Sequence, residues 1–233
     1  MSTIQPAFFL YPPQRPGIGI SACLAGQPVR YDGSDKRQPW IERLARHASL
    51  VPVCPEAGAG LGVPRPPIQR ERFDGRDYLR VIASGEDVGD ALRSFAEQTA
   101  SELAGQLQAF IVKARSPSCG LGSTPVFAGD GQPLAIANGV FTDVLQQRWP
   151  DCLLVDEAFL ASAARCDELL LRCQWLLDWQ QAVSDRRQQQ ALACYQRYWP
   201  VTEQNWPAPL LDTRQQLPPA LLYDSNPAQS SQY

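Results

Sequence analysis

Short apolar runs alternate with helix-periodic stretches along the first two thirds of the chain. Gly17–Ala22 (GIGISA) predicts a buried strand ended by Cys23 and Gly26, and Leu50–Val53 predicts a second, stopped by Pro55. Tyr78–Ala83, Ala109–Ala114 (AFIVKA) and Leu153–Val155 predict three more. Between them, Lys36–His47 has helical spacing, with Trp40, Ile41, Leu44 and Ala45 on one side. Asp87 is placed to N-cap a helix reaching about Gln108, and Asn138 opens another reaching about Trp149. Residues 27–33, 55–77 and 115–135, rich in turn formers, read as loops. Strands alternating with helices predict an α/β fold, a parallel Rossmann-like sheet with helices on both faces.

The pattern changes near residue 157. From Asp156 to about Tyr198 it is helical, with a break near Ser184–Asp185 and a stripe of Leu169, Leu170, Cys173, Leu176 and Leu177. The tail from Pro200 is rich in Pro, Gln and Leu, and its last eight residues (NPAQSSQY) have the composition of disorder. Two parts are therefore expected: an α/β domain over 1–157 and a helical C-terminal extension with a Pro/Gln-rich tail over 158–233.

Charge adds one asymmetry. Residues 1–150 hold 15 Lys/Arg against 14 Asp/Glu, whereas residues 151–233 hold 6 against 10. An anionic partner would therefore meet the first part, through a local patch. The C-terminal part is a poor platform for a nucleic acid on charge grounds; it is expected to pack on the core or to mediate a homodimer. Its aromatic residues (Trp175, Trp179, Tyr195, Tyr198, Trp199) read as packing before base stacking. No apolar run is long enough to span a membrane, and the first residues lack the basic and apolar regions of a signal peptide. A cytoplasmic protein is expected, in which the seven cysteines are free thiols or metal ligands.

Three of those cysteines stand in Gly/Pro-rich turns after predicted strands: Cys23 in ISACLAG, Cys54 in VPVCPEAG and Cys119 in RSPSCGLG. Ligands of parallel sheets gather beyond the carboxyl ends of the strands, so these turns can share a site. Each cysteine taken alone can be a buried apolar side chain. Together, in turns, they read better as ligands. Structural zinc sites use closely spaced cysteine pairs and four ligands, which this chain lacks around its lone histidine, His47. Dispersed thiolates suit an iron–sulfur cluster, and three of them would leave one iron open. Cys152 is a weaker fourth candidate, and Cys166 and Cys173, seven apart on one helix face, read as core.

Other residues carry two readings. Glu56 in CPE is a general acid or base beside a metal, or a turn carboxylate. Ser116 and Ser118 flank Pro117; they bond turn amides or exchange a proton with a ligand. Lys113 precedes them at a strand end. Arg30, Lys36, Arg37, Arg65, Arg70, Arg72 and Arg76 lie in loops, either solvated or gathered on a phosphate or nucleic-acid backbone. Asp32 in RYDG is a turn signal first and a binding candidate second. No P-loop, dinucleotide fingerprint or HExxH motif is present.

Four segments in this order, ISACLAGQPVRYDGSDKR (20–37), LVPVCPEAGAGLGVPRPPI (50–68), FIVKARSPSCGLG (110–122) and NGVFTDVL (138–145), resemble the thiouracil desulfidase family. The resemblance spans about residues 16–157. It implies a 4Fe-4S cluster on the matching positions Cys23, Cys54 and Cys119, with an open iron for the sulfur of a thiolated pyrimidine. It implies Glu56 and Ser116 as the proton-transfer residues, and replacement of C=S by C=O with release of hydrosulfide, a hydrolytic change. The substrates implied are a thiolated base, nucleoside or nucleotide, or thiouridine in tRNA. Arg30, Asp32, Lys36, Arg65, Lys113 and Ser118 are the substrate-binding candidates. Two rival readings use the same residues: a metal-bearing RNA-binding or sulfur-carrier module without turnover, and an apo α/β protein that binds a small phosphorylated ligand.

Overall fold

The structure, a computed structural model, describes residues 14–181. The later part of the expected C-terminal helices, Cys194, Tyr195, Tyr198, Trp199 and the Pro/Gln-rich tail lie outside the described residues, as do residues 1–13. In chain order the elements are β1 (Gly17–Ser21), α1 (Ile41–His47), β2 (Ser49–Val53), α2 (Pro55–Gly58), β3 (Ile68–Phe73), β4 (Arg76–Val81), α3 (Gly89–Glu102), β5 (Ala109–Val112), β6 (Thr124–Ala128), β7 (Pro133–Ala137), α4 (Val140–Arg148), β8 (Leu153–Asp156) and α5 (Ala163–Gln181).

The predicted parallel sheet is present, in the order β2-β1-β5-β8. All three pairings in it are parallel. Alternation along its strands sorts side chains to two faces. Ile18, Ile20, Ala109, Ile111, Leu153 and Val155 face one core, shared with α1 and α5. Phe110, Val112 and Leu154 face the other, shared with α3 and α4. Gly19 lies under the Phe110 ring, and a Cβ there would collide with it. The helical stripe expected after residue 157 is α5: Leu169, Leu170, Cys173 and Leu176 are buried in the same cluster as the strands.

A second sheet, β4-β3-β6-β7, was not expected. It occupies much of the segments read as loops at 55–77 and 115–135. Tyr78–Ala83, expected beside the other strands, corresponds to β4 and pairs antiparallel with β3 in this second sheet. β3 pairs parallel with β6, and β6 antiparallel with β7. For β6 (TPVFA) and β7 (PLAIA) the strand signal is interrupted by Pro125 and Pro133; for β3 and the start of β4 the physical reason for the miss is composition. β3 (IQRERF) and β4 (RDYLRV) carry arginines and acids where apolar residues normally mark strands. Those charges are paired with one another, as in Arg70 and Arg72 with Asp77. Ile68 and Leu79 pack with Val88, Leu92 and Val140, joining the second sheet to α3 and α4.

Helix boundaries also shift. The first helix starts at Ile41, not Lys36, because Pro39 disfavours helical geometry at the residue before it. Asp87 does not N-cap α3; that place is Val88, and the Asp87 carboxylate accepts from the Gly89 amide at 3.0 Å. α3 ends at Glu102, short of the expected Gln108, ahead of Gly105 at φ 72°.

Leu176 is fully buried against the sheet. Leu176→Ala is expected to cost about 2–5 kcal/mol of stability in urea unfolding. An unchanged midpoint would detach α5 from this core.

Candidate metal centre

β1 lies inside the four-stranded parallel sheet, flanked by β2 and β5. Its turn carries Cys23, the residue after β2 is Cys54, and the loop after β5 carries Cys119. All three thiols line one cavity of about 300 Å³ at the carboxyl edge of the sheet. This is the crevice where chain connections leave a central strand in opposite directions.

Each thiol is held by its own turn. The Cys23 carbonyl accepts from the Gly26 amide at 3.2 Å and the Lys36 amide at 2.9 Å, with Gly26 at φ 95°. Cys54 precedes Pro55 as the N-cap of α2, and its thiol faces the Val29 carbonyl at 3.7 Å. Burial pushes the Cys23 thiol up to about 11, with the neighbouring Cys54 adding to the rise and Arg30 and Lys113 opposing it. Burial likewise raises Cys54, against the amides of Ala57 and Glu56 and the charge of Arg65. Cys119 is raised by burial and by the nearby Glu56, Cys54 and Cys23, against a hydrogen bond from the Ser21 side chain. The Cys119 thiol is thus buried and those of Cys23 and Cys54 half-buried on the wall of one cavity, each already met by polar groups. That is a donor set for a soft cation, whose binding displaces the thiol protons.

The Cys119 turn is fastened from the far side. Successive carbonyls accept from the start of α4: Pro117 from the Val140 amide at 3.3 Å, Ser118 from the Phe141 amide at 2.9 Å, and Gly120 from the Gly139 amide at 2.6 Å. The remaining carbonyl, of Cys119, accepts from the Thr142 hydroxyl at 2.6 Å. A helix start leaves amides unpaired, and here the cysteine turn takes them. Any side chain at Gly139 would collide with the Ser118 backbone. Through this contact the NGVFTDVL segment packs directly on SPSCG.

Glu56 sits on the cavity wall with both oxygens engaged. Oε2 accepts from Arg65 Nε at 2.9 Å and pairs with Nη2 at 2.8 Å, and Oε1 accepts from the Ser118 hydroxyl at 2.8 Å. Arg65 Nη1 also donates to the Val29 and Gly62 carbonyls. Ser116 Oγ accepts from the amides of Ser118 (3.3 Å) and Cys119 (3.1 Å), so its own proton remains available. Lys113 Nζ donates to Glu157 and to the Ala114 carbonyl. Arg115 also lines the cavity, in the left-handed region at φ 62°, where a side chain is strained.

Of the residues singled out in the sequence, Cys23, Cys54, Cys119, Glu56, Ser116, Arg30, Arg65 and Lys113 meet at this cavity. Asp32 and Lys36 are exposed outside its wall, where Asp32 accepts from Ser34. Ser118 is fully buried behind the wall, on Glu56. Cys152 packs in the α3/α4 core, and Cys166 and Cys173 in the opposite one. Sequence reading missed Ser21, which also takes the Lys113 amide at 2.9 Å, and Asn138, whose carbonyl and amide groups both bind. The Ser in GIGIS and the Asn in NGVFT were visible, but nothing local distinguishes them from ordinary strand and cap residues.

The fold and this cavity define a class: an α/β protein with a three-thiol crevice at the carboxyl edge of a parallel sheet. A family model described as 2-thiouracil desulfurase matches residues 18–157, and the chain belongs to that family. Among solved structures, it resembles a 4Fe-4S-dependent thiouracil desulfidase, TudS, at TM-score 0.54 and 31% identity over 66% of this chain and 99% of that one. It is also 37% identical over 113 residues to an uncharacterized protein, YbbK, of Bacillus subtilis (strain 168), covering 45% of this chain and 74% of that protein.

The Arg65 side chain is 4% exposed and that of Glu56 13%. Arg65→Met strands a buried carboxylate and is expected to cost about 3–5 kcal/mol, most of it recovered in Arg65→Met/Glu56→Gln. Thermal unfolding of both variants measures this; equal losses would place the penalty elsewhere.

Proposed function

We propose that this protein is a 4Fe-4S-dependent desulfidase that converts the thiocarbonyl of a thiolated uracil to a carbonyl, with water as co-reactant and hydrosulfide as product. The substrate is a base, nucleoside or nucleotide, or thiouridine within tRNA. The observation that carries the reading is the convergence of Cys23, Cys54 and Cys119 on one cavity. Among the described residues no three His, Cys, Asp or Glu side chains are placed to hold a single metal ion. A cavity of about 300 Å³ lined by three thiols has room for a polynuclear centre. When bound, such a centre with three protein ligands offers a soft Lewis acid for a thiocarbonyl sulfur.

The chain's own groups supply the rest. A carboxylate has about four acceptor positions, and Ser118 with the two Arg65 nitrogens uses three of those on Glu56. The remaining position, on Oε1, orients a water and takes its proton as the water adds to the thiocarbonyl carbon. Ser116, held by two amides, donates its hydroxyl proton toward the ring. Arg30 and Arg115 bring positive charge to the wall, while Lys113 is held on Glu157; the two arginines favour a substrate carrying phosphate or a ribose with nearby phosphate. Overall C=S and H2O become C=O and H2S, with no electron transferred.

Anaerobically purified protein is expected to hold about four iron and four acid-labile sulfide per chain, and to bleach the thiocarbonyl absorbance of 2- or 4-thiouridine compounds. Cys23→Ser, Cys54→Ser and Cys119→Ser should each lose the iron. Glu56→Ala should keep it and lose the rate by about 100-fold or more. Stoichiometric zinc, with RNA binding and no turnover, would support a metal-bearing RNA module instead.

A further inference from the structure

Arg70 lies on β3 in the second sheet, far in sequence from any cysteine turn, and is 9% exposed. Its Nε and Nη2 donate to Asp77 at 3.0 and 2.8 Å. Its Nη1 donates to the Asn138 carbonyl and to Asp143 at 3.2 Å. Asn138 directly precedes Gly139, the N-cap of α4. The Asn138 amide group donates to Asp143 at 3.0 Å and Gln146 at 2.8 Å, and its Oδ1 accepts from the Gly122 amide at 2.7 Å. The guanidinium therefore grips the backbone immediately ahead of the helix start that fastens carbonyls 117–120.

Resting on the proposed function, we infer that Arg70, through Asn138 and Thr142, is a positioning residue for the third thiol. The chain of contacts runs from Asp77 and Arg70 to the Asn138 carbonyl, then through the first turn of α4 to the carbonyl of Cys119. Two properties make this more than general packing. The fork of Arg70 reaches two acids and one carbonyl at once, a geometry that an ammonium does not reproduce. And the last link, from Thr142, ends on the cysteine residue itself. Groups that orient a ligand's turn set how firmly it holds metal, and their removal typically lowers affinity by about 10–100-fold. Among the described residues the turns of Cys23 and Cys54 make no direct hydrogen bond to α4, so the device acts first on Cys119.

The test uses cluster-loaded full-length protein and compares wild type, Arg70→Met, Thr142→Val and Arg148→Met. Arg148 pairs with Glu97 at the other end of α4 and controls for loosening of the helix. The readouts are the rate of iron release to an excess of chelator and the electron paramagnetic resonance spectrum of the reduced cluster. Arg70→Met and Thr142→Val are expected to release iron about 10-fold faster or more, with altered spectra. Arg148→Met should match wild type. Wild-type release and spectra in Thr142→Val and Arg70→Met overturn the inference. So does equal acceleration in Arg148→Met, which would mark general destabilisation. Should Arg70→Met fail to fold, Arg70→Lys, which keeps the charge and loses the fork, enters the same comparison with the same expected release. A wild-type protein that takes up no iron after reconstitution would instead overturn the desulfidase reading itself.

Discussion

The parallel pairing of β1 with both β2 and β5 is the constraint from which the site follows. Parallel neighbours all end at the same edge, so segments separated by some thirty to ninety residues deliver their turns to one place. The pairing is demanding for β1. Gly17 and Gly19 have no room for side chains, because the Gln106 carbonyl lies against the first and the Phe110 ring covers the second. Ser21, the last residue of the strand, then ties the edge together by accepting from the Lys113 amide and bonding the Cys119 thiol.

Around that edge, charge is neutralised in short local circuits. Glu56 meets Arg65, Lys113 meets Glu157, and Arg70 meets Asp77 and Asp143. Taking ions out of water is costly unless each finds a partner with good geometry, and these pairs are buried or half-buried. The pairs around Arg70 explain how a sheet as polar as the second one packs against α3 and α4. The Glu56 pair explains how a carboxylate is held still beside three thiols. Rigidity of this kind is what a reactive site requires, since groups misplaced by about an ångström lose most of their effect.

Part of one face of the parallel sheet is closed by residues beyond the family match. The family match stops at residue 157, and the solved relative aligns to 66% of this chain while being covered almost entirely. Yet α5, beyond that limit, buries Leu169, Leu170, Cys173 and Leu176 against β1, β5 and β8. Gln108 donates to Gln180 and accepts from the Gly17 amide, joining this helix to the amino ends of the strands. α5 is thus part of the core that supports the central strand, on the face opposite α3 and α4.

The alternation of apolar strands and amphipathic helices sufficed, by itself, for the parallel sheet, because a strand buried on both faces needs an unbroken apolar run. The three cysteines were legible for a related reason: Gly and Pro beside each one marked a turn, and parallel sheets send their turns to one edge. Glu56, Ser116 and the four motif segments were readable as a set through family resemblance. Of the second sheet only part of β4 was legible: in β3 and β4, Arg70, Arg72 and Asp77 stand where strand signals need apolar residues, and only tertiary pairing makes their burial tolerable. Nor were the roles of Ser118 and Ser21 legible. A serine in a turn looks the same whether it faces solvent, substrate or a carboxylate sixty-two positions away. Periodicity records which side of an element is dry. Which buried polar group meets which depends on contacts distant in sequence, and those the tertiary structure alone decides.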